Sequence, residues 1–490
     1  MSKLELHCIE LFYVWSGLTE SRAVICSWSK DIFCLEMKRR FLHKESLLLL
    51  FIVCILVYIF GNFFVVNGRS EGLDLFFNLR EYSYNVPVPL KLPLFKRSPK
   101  RLVRDVDCAA ILNGDKLEIK KAEKLMKTGN KSRNLITEKE YIQLTADCDS
   151  FKRTRSYDNY FASREEVEFS IAYSILLYKD VGQAERLLRA IYTPQNYFCL
   201  HVDADSKQEV HDAIQGIANC FNNVFVVSRK EYVVYAGFTR LQADINCMEN
   251  LLQHGKDWEY FINLPSQEYP LKTNKEIVKI LRIYNGANDI EGLTSNRMLE
   301  YRYKHRFIYR HVNNKIKPRA FISKQAKDKP PYNITVVKGS AYGIFSRKFV
   351  HFIVNNKIAR ELLDWFRDVL SPDEYYWATL NFNHHIGTPG SYYKGKPDDK
   401  PWLATFVKWG REGSCHGKFV RDVCVFGVGD LQALTKKHHL FANKFHINYQ
   451  RYALDCMEEW HYNRTAEGDL KSLNISYYES LPFIKRDKGR

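Results

Sequence analysis

The sequence predicts a doubly wound α/β domain that follows a membrane-spanning segment, and two observations support this prediction. From Phe169 onward, short apolar runs of strand composition alternate with stretches in which apolar residues recur at helical spacing. Strands separated by helices imply a largely parallel sheet with helices on its two faces. A single run of apolar residues near the amino terminus is long enough to cross a bilayer.

Four strands are predicted in this domain, with helices between them. The strands lie at 169–179, 196–203, 224–228 and 260–264. The helices carry apolar stripes within 184–191, 241–252 and 277–284. Ligands of such sheets bind beyond the carboxyl ends of the strands. We therefore expect Asp203 and Glu268 to lie at the ligand-binding edge.

Composition narrows the class of protein. The chain has 490 residues, 46% of them hydrophobic, and a formal net charge of +17. This charge admits a nucleic acid, a membrane surface or an anionic substrate as partner. No nucleic-acid motif accompanies it, so we expect no nucleic-acid partner. The absence of G-x-G-x-x-G, P-loop and zinc-ligand spacings argues against a dinucleotide enzyme, a kinase and a zinc hydrolase.

The amino-terminal region is predicted to anchor the protein. Residues 46–66 are almost entirely apolar and span roughly 30 Å as a helix. Lys38, Arg39, Arg40 and Lys44 precede this run, which places residues 1–45 in the cytosol and the remainder in the lumen. A cleaved signal peptide is the alternative. Met37 opens a short basic tail and is a candidate alternative start.

After the anchor, residues 67–107 are expected to form an extended stem, and 108–490 the lumenal domain. Eight of the twelve cysteines follow the anchor, an even number that suggests four disulfides in an oxidising lumen. Eight buried thiols are the alternative. Four N-x-S/T sequons on the same side favour the lumenal interpretation; they are Asn130, Asn333, Asn463 and Asn474.

The segment 371–379 admits two interpretations. Ser371, Pro372 and Glu374 have the spacing of a helix start with a capping box. Alternatively, Glu374 is a general base that deprotonates a sugar hydroxyl as it attacks an activated sugar.

A second ambiguous motif is Asp203-Ala204-Asp205, which follows a strand. Its carboxylates could bind Mn²⁺ or Mg²⁺ against a diphosphate, or they could simply end the strand and cap a helix.

Five long motifs resemble the core 2 β-1,6-N-acetylglucosaminyltransferases, the mucin-type branching enzymes, and more distantly the peptide xylosyltransferases. They occupy 187–203, 233–251, 261–278, 371–379 and 423–444. The resemblance extends from about Cys108 to Cys456. It implies a GT-A-like fold, Golgi localisation as a single-pass type II protein, and an inverting transfer from a UDP-sugar to an O-glycan without a metal or other cofactor. The oligomeric state stays open, with a homodimer as one expectation.

The resemblance also implies roles for individual residues. Glu374 matches the catalytic base, and Arg421 and Lys444 match two cations that face the donor diphosphate in place of a metal. The positions that match the uridine pocket are Leu176, Leu177, Tyr178, Asp203, Ala204, Asp205 and Tyr235. The positions that match acceptor contacts or lie beside the acceptor are Glu291, Arg302, Trp409 and Arg411. The implied disulfides are Cys108–Cys456, Cys148–Cys220, Cys199–Cys247 and Cys415–Cys424.

The acceptor positions depart most from the family pattern. Leu299 stands where an acceptor-contacting lysine is expected, although Arg297 is close by, and Arg411 stands where a tyrosine is expected. Pro265 replaces an unpaired cysteine. The implied activity is transfer of GlcNAc to the C6 hydroxyl of a core such as Galβ1-3GalNAc, which forms a β-1,6 branch. Transfer of glucose or xylose, and an inactive lumenal glycan-binding protein, are the alternatives.

Overall fold

A computed structural model describes residues 22–27, 33–38, 100–128, 135–157, 162–255, 257–311, 319–392 and 395–484. The chain divides into two compact units, Met1–Leu94 and Phe95–Arg490. In the first unit the described residues form an antiparallel hairpin of β1 (Arg22–Ser27) and β2 (Phe33–Lys38), which contains Met37. The predicted anchor at 46–66 and the stem as far as residue 99 lie outside the described residues.

The second unit contains the predicted alternation of strands and helices. Its strands are β3 (Ser170–Leu177), β4 (Tyr197–Val202), β5 (Val224–Val226), β6 (Trp258–Pro265), β7 (Glu268–Pro270), β8 (Asp289–Ile290), β9 (His305–Arg310), β10 (Arg319–Ala326), β11 (Gly343–Ser346), β12 (Thr405–Val407), β13 (Lys418–Val420), β14 (Val423–Val425) and β15 (Phe441–Asn443). Its helices are α1 (Cys108–Leu112), α2 (Lys116–Lys127), α3 (Glu138–Leu144), α4 (Cys148–Arg155), α5 (Arg164–Val167), α6 (Val181–Ile191), α7 (Gln208–Asn219), α8 (Phe238–His254), α9 (Asn274–Tyr284), α10 (Tyr301–Lys304), α11 (Arg347–Asn355), α12 (Lys357–Trp365), α13 (Tyr376–Phe382), α14 (Leu431–Thr435), α15 (Arg451–Glu467) and α16 (Ile475–Glu479). No helix within these ranges is both long enough and apolar enough to span a bilayer.

A six-stranded sheet organises this unit, in the order β5-β4-β3-β6-β11-β8. The four predicted strands β3, β4, β5 and β6 are parallel to one another. The sequence did not predict β11, which pairs antiparallel with β6 and with β8. The sheet is therefore mixed, with its parallel part where the alternation of strand and helix was clearest.

Both faces of the sheet are covered, as a doubly wound fold requires. Along β3, Ile171, Tyr173 and Ile175 belong to the core that contains α6, α7 and α9. Ala172, which points to the other face, belongs to the core that contains α8, α11 and Trp377 of α13. Strand β3 is thus buried on both sides, which explains its nearly continuous apolar sequence.

A third core ties the two ends of this unit together. Helices α1 and α2 pack with β14, α14 and α15, and the disulfide Cys108–Cys456 joins α1 to α15. The other disulfides are Cys148–Cys220, Cys199–Cys247 and Cys415–Cys424, the same pairs that the family resemblance implies. A small sheet of β12, β15 and β7 lies in this region and ends beside the site described next.

Candidate active site

Glu374 lies in a tight turn that the sequence suggested would be a helix start. Residues Pro372–Glu374 form one 3-10 turn, and α13 begins two residues later. The capping-box prediction is wrong: Ser371 adopts a left-handed conformation with φ of 52° and its side chain caps no backbone N–H. Its own N–H instead donates to the carbonyl of Ala236 at 2.8 Å, which holds the turn against another segment. Such a conformation in a residue other than glycine is often found at functional sites.

Two cations hold one oxygen of the Glu374 carboxylate. Arg302 Nη1 lies 2.8 Å and Lys338 Nζ 3.0 Å from Oε2. The other oxygen, Oε1, has no hydrogen-bond donor among the residues that the structure describes. The Glu374 side chain is 32% exposed, so a substrate hydroxyl can reach it. The carboxylate is thus fixed through one oxygen and offers the other as a proton acceptor.

Lys338 was not predicted from the sequence. The Leu293 N–H donates to the carbonyl of Lys338 at 2.7 Å, and the Gly339 N–H donates to that of Glu374 at 2.6 Å. A Cβ atom at Gly339 would lie 2.3 Å from the carbonyl oxygen of Glu291, so only glycine permits this approach. Lys338 and Glu374 are 36 residues apart, and no local periodicity signals their contact. Only the glycine at position 339 marks the place.

Glu291 lies near the same charges. Burial raises the pKa of Glu291 above its ordinary value, and Glu374 adds to this, whereas Lys338 and Arg297 lower it. The structure therefore brings two of the predicted acceptor residues, Glu291 and Arg302, close to the Glu374 carboxylate.

The other predicted acceptor residues lie beside Arg421. The Gly410 N–H donates to the Asp422 carbonyl at 3.0 Å, and Trp409 pairs with Val423 as an isolated bridge. The Arg411 guanidinium carbon lies 5.8 Å from the centre of the Trp409 ring, which is 36% exposed. The predicted acceptor set is therefore divided between two places.

Arg421 occupies the tip of the β13–β14 hairpin. Arg421 and Asp422 have φ of 52° and 62°, the pattern of a two-residue type I′ turn that usually requires asparagine or glycine. The disulfide Cys415–Cys424 ties this hairpin to the preceding loop. Lys444 lies at the end of β15, and its ammonium donates to the carbonyl of Val420 at 3.1 Å.

Among the described residues, these two cations have no counter-ion. Burial lowers the pKa of Lys444, and the nearby Arg421 lowers it further. Within the described ranges, neither Arg421 nor Lys444 has a carboxylate at ion-pair distance. Two neighbouring positive side chains with no acidic partner are an arrangement that favours binding of an anion.

The predicted nucleoside residues lie at the carboxyl ends of β3 and β4. The Asp203 N–H donates to the Leu177 carbonyl at 2.9 Å, which aligns the two strand ends next to Tyr178 and Leu176. Asp203 Oδ1 accepts the backbone N–H groups of Asp205 at 3.1 Å and of Val233 at 3.2 Å. This carboxylate therefore braces the loop that leads to Tyr235, and the Ala204 N–H joins the same loop through Glu231.

Tyr235 and Ala236 connect the two groups of charges. The Arg421 guanidinium carbon lies 4.1 Å from the centre of the Tyr235 ring, which is 68% exposed. The next residue, Ala236, accepts the Ser371 N–H at the start of the Glu374 turn. The unpaired cations and the anchored carboxylate thus lie on either side of one short loop.

Two other features do not form candidate sites. A cavity of about 80 Å³ is lined by residues including Arg155, Arg189 and Glu458, but Arg155 pairs with Glu185 and Arg189 with Glu458, and no predicted site residue lines it. In the described part of the chain, the one cluster with metal-ligand geometry is Cys415, Cys424 and Asp430, in which the cysteines form a disulfide.

The sequons differ in how their side chains are used. Asn130 lies outside the described residues. Asn333 and Asn474 are exposed, and Asn474 caps α16 through its carbonyl oxygen. Asn463 lies inside α15 and exchanges two hydrogen bonds with the backbone of Lys100. Occupancy of each sequon remains a prediction.

Comparison with known proteins gives one consistent result. Residues 171–435 match the family model described as Core-2/I-Branching enzyme. A beta-1,3-galactosyl-O-glycosyl-glycoprotein beta-1,6-N-acetylglucosaminyltransferase of Homo sapiens is 41% identical over 369 residues, 72% of this chain and 84% of the relative. The human enzyme of the same name numbered 3 is 38% identical over 368 residues, 73% and 83% of the two chains. The Bos taurus relative is 40% identical over 383 residues, 75% and 87%.

Proposed function

The chain belongs to the Core-2/I-Branching enzyme family, and on this basis we propose that it transfers GlcNAc from UDP-GlcNAc to the C6 hydroxyl of an O-glycan core such as Galβ1-3GalNAc. The product is a β-1,6 branch. The relatives are named for this transfer onto β-1,3-galactosyl-O-glycosyl-glycoproteins. The observation that carries the proposal is the pairing of an anchored carboxylate with two unpaired cations across the Tyr235–Ala236 loop.

Glu374 is proposed as the general base. Its Oε1 accepts the proton of the acceptor hydroxyl while the hydroxyl oxygen forms a bond to the anomeric carbon of the donor sugar. The bond between that carbon and the UDP oxygen breaks on the opposite face, which inverts the configuration. Arg302 and Lys338 remain on Oε2, so the carboxylate keeps its orientation throughout.

Arg421 and Lys444 are proposed to stabilise the departing UDP. Negative charge grows on the β-phosphate as the bond breaks. Arg421 offers a planar fork of donors and Lys444 a compact charge, and such preorganised cations can contribute several kcal/mol to transition-state stabilisation. In this proposal they act where other glycosyltransferases of this fold use a metal ion. Asp203, whose Oδ1 accepts two backbone N–H groups, belongs to the nucleoside side and is not proposed as a metal ligand.

The remaining donor and acceptor assignments follow the same division. Leu176, Leu177, Tyr178, Ala204, Asp205 and Tyr235 are proposed to contact the nucleoside. Glu291 and Arg302 are proposed to bind the acceptor sugar beside the base, with Trp409 and Arg411 farther along the same side. We further propose that residues 46–66 anchor the protein as a type II protein in the Golgi membrane, supported by the apolar run and its basic flank.

A donor-by-acceptor screen tests this function. The full-length protein, purified in a non-ionic detergent, is incubated with UDP-GlcNAc, UDP-glucose or UDP-xylose and with Galβ1-3GalNAc, and the linkage of each product is determined. We expect a β-1,6-linked GlcNAc product that persists in excess EDTA. Transfer of only glucose or xylose would change the donor assignment. Glycan binding without turnover would favour an inactive glycan-binding protein, and rescue of an EDTA-treated enzyme by Mn²⁺ would contradict the metal-independent mechanism.

A further inference from the structure

The hairpin of β9 and β10 is strongly basic and lies beside the proposed catalytic base. Between Lys304 and Lys327 the sequence has eight Lys and Arg residues and no Asp or Glu, against a net charge of +17 for the whole chain. The hairpin follows α10, which carries Arg302, and the Arg302 carbonyl accepts the Leu370 N–H at 3.0 Å, just before the Glu374 turn. The described strands of the hairpin thus bring basic residues next to the proposed acceptor side of the site.

The two faces of the hairpin have different surroundings. Phe307 and Tyr309 point to one face; Phe307 is buried and the Tyr309 hydroxyl donates to the Ala236 carbonyl at 3.4 Å. Ile308 and Phe321 are cross-strand partners on the other face and are 38% and 40% exposed. Ile322 is 54% exposed. The hairpin therefore presents apolar side chains to solvent while its inner face packs against the loop shared by both charge groups.

Only part of the basic charge is neutralised within the protein. Arg306 pairs with Asp328 and Asp368, Lys327 with Asp368, and Lys304 with Glu300. Arg310 and Lys324 are exposed and have no acidic partner in the part of the chain that the structure describes.

Resting on the proposed function, we propose that this surface binds an acidic stretch of the acceptor glycoprotein's polypeptide. The hairpin surface consists of Ile308, Arg310, Phe321 and Lys324. Arginine matches the geometry of Asp and Glu carboxylates, and the exposed apolar side chains provide contact area for a polypeptide. Because the hairpin adjoins the Glu374 turn, a peptide held there keeps its attached glycan near the base. The surface therefore selects acceptors by the charge of the protein around the glycan.

Matched glycopeptides test this proposal. They carry the same Galβ1-3GalNAc on one threonine and differ only in having Asp and Glu, or Asn and Gln, around it. Their binding to the full-length protein is measured by fluorescence anisotropy, and transfer is measured by steady-state kinetics. We expect the acidic peptide to bind about tenfold more tightly, with the difference in KM rather than kcat, and the preference to decline as salt screens the exposed charges.

Charge-reversal variants test whether the hairpin surface causes the preference for the acidic peptide. Arg310→Glu/Lys324→Glu is expected to abolish the preference for the acidic peptide while leaving transfer to the free disaccharide unchanged. Lys116→Glu/Lys120→Glu, the same charge change at exposed positions on α2, is expected to keep the preference. Equal affinity for the two peptides, or an equal loss in the control variant, would overturn the proposal.

Two further outcomes are distinguishable. Binding to phosphatidylserine vesicles that depends on Arg310 and Lys324, without any peptide preference, would assign the surface to the membrane and overturn the proposal. Absence of transfer to the free disaccharide would contradict the proposed function alone, since the anisotropy measurement still reports whether the hairpin surface binds the acidic peptide.

Discussion

The two charged groups on either side of the Tyr235–Ala236 loop differ in how their charge is balanced. At the base, the Arg302 and Lys338 cations share one oxygen of Glu374. At the donor cations, Arg421 and Lys444 lie close together without an acidic partner among the described residues. The Glu374 carboxylate is paired with cations before any substrate binds. Arg421 and Lys444, in contrast, repel each other until an anion binds between them.

This difference assigns a separate task to each group. A carboxylate held at one oxygen is oriented before the acceptor binds, so it can act on a neutral hydroxyl. Cations without an acidic partner interact most favourably with negative charge that develops beside them, as we propose happens when UDP departs. Substitutions at the two groups are therefore expected to separate proton transfer from donor binding.

The largest effect is expected from Glu374→Gln. The amide keeps the shape of the side chain but does not accept the hydroxyl proton, so kcat is expected to fall by about 10²- to 10⁴-fold. UDP affinity, measured by calorimetry, is expected to stay within about twofold of the original because the donor cations are unchanged. Glu300→Gln, which removes an exposed carboxylate paired with Lys304, serves as the control and is expected to retain full activity. Full activity of Glu374→Gln would remove the base assignment.

Arg421→Ala and Lys444→Ala test the other side of the comparison. Each is expected to lower kcat/KM by about 10²-fold and, unlike Glu374→Gln, to weaken UDP binding, since each removes a cation that the diphosphate would neutralise. Lys418→Ala removes another cation of the same hairpin, one that lies over the Tyr449 ring, and is expected to change neither quantity. Unchanged UDP affinity in Arg421→Ala would separate these cations from the donor.

Sequence reasoning described the surroundings of Arg421 and Lys444 more completely than those of Glu374. The parallel strands could be predicted because β3, β4 and β6 are mostly buried and a helix separates each strand from the next. Lys444 ends the motif 423–444 and Arg421 lies two residues before it, so the family resemblance pointed to both positions. The antiparallel strands β8 and β11 escaped prediction because strands of two and four residues carry too little periodicity to detect.

At the base, tertiary contacts overrode the local pattern. Ser371-Pro372-Asp373-Glu374 has capping-box spacing, but the Ser371 N–H bonds to Ala236 and the Glu374 side chain turns toward Arg302 and Lys338. Lys338 is brought to the site by the close approach of the backbone at Gly339 to the carbonyl of Glu291. These segments are distant in the sequence, so no sequence spacing predicts their contact.

Lys338→Met tests whether both cations are needed on Oε2. The variant keeps most of the aliphatic stem but removes the ammonium, so Glu374 is held by Arg302 alone and samples more orientations. We expect kcat to fall by about tenfold, a loss of about 1.4 kcal/mol, with the KM for UDP-GlcNAc unchanged. Lys338→Arg is expected to recover part of the activity because it restores a charged donor. An unaltered kcat in Lys338→Met would show that Arg302 alone suffices.

The smallest effect concerns Glu268, a buried acid that contacts the residue before Lys444. Its Oε1 accepts a hydrogen bond from Asn443 at 3.1 Å. Burial raises the pKa of Glu268 to about 8, although the Asn443 hydrogen bond lowers it. At neutral and mildly acidic pH this acid is therefore mostly protonated.

This protonation predicts a pH-dependent stability. An unfolded glutamate loses its proton near pH 4.5, whereas folded Glu268 keeps it to about pH 8, so the native state binds more protons between these values. The contribution is complete below pH 4.5 and falls as the pH rises toward 8, by at most about 1.4 kcal/mol per pH unit. Glu268→Gln is neutral at every pH, and its Tm is expected to fall less than that of the original protein between pH 6 and 8.

Glu185→Gln is the matched control for this measurement. Glu185 is also buried, but Arg189 and Arg155 outweigh the effect of burial and lower its pKa to about 2. It stays ionised from pH 6 to 8 in both the folded and unfolded states, so its substitution should lower the Tm throughout without changing the pH slope. Thermal unfolding of the full-length proteins followed by circular dichroism gives both quantities. A Glu268→Gln variant with the original slope would mean that Glu268 is ionised in the folded protein between pH 6 and 8.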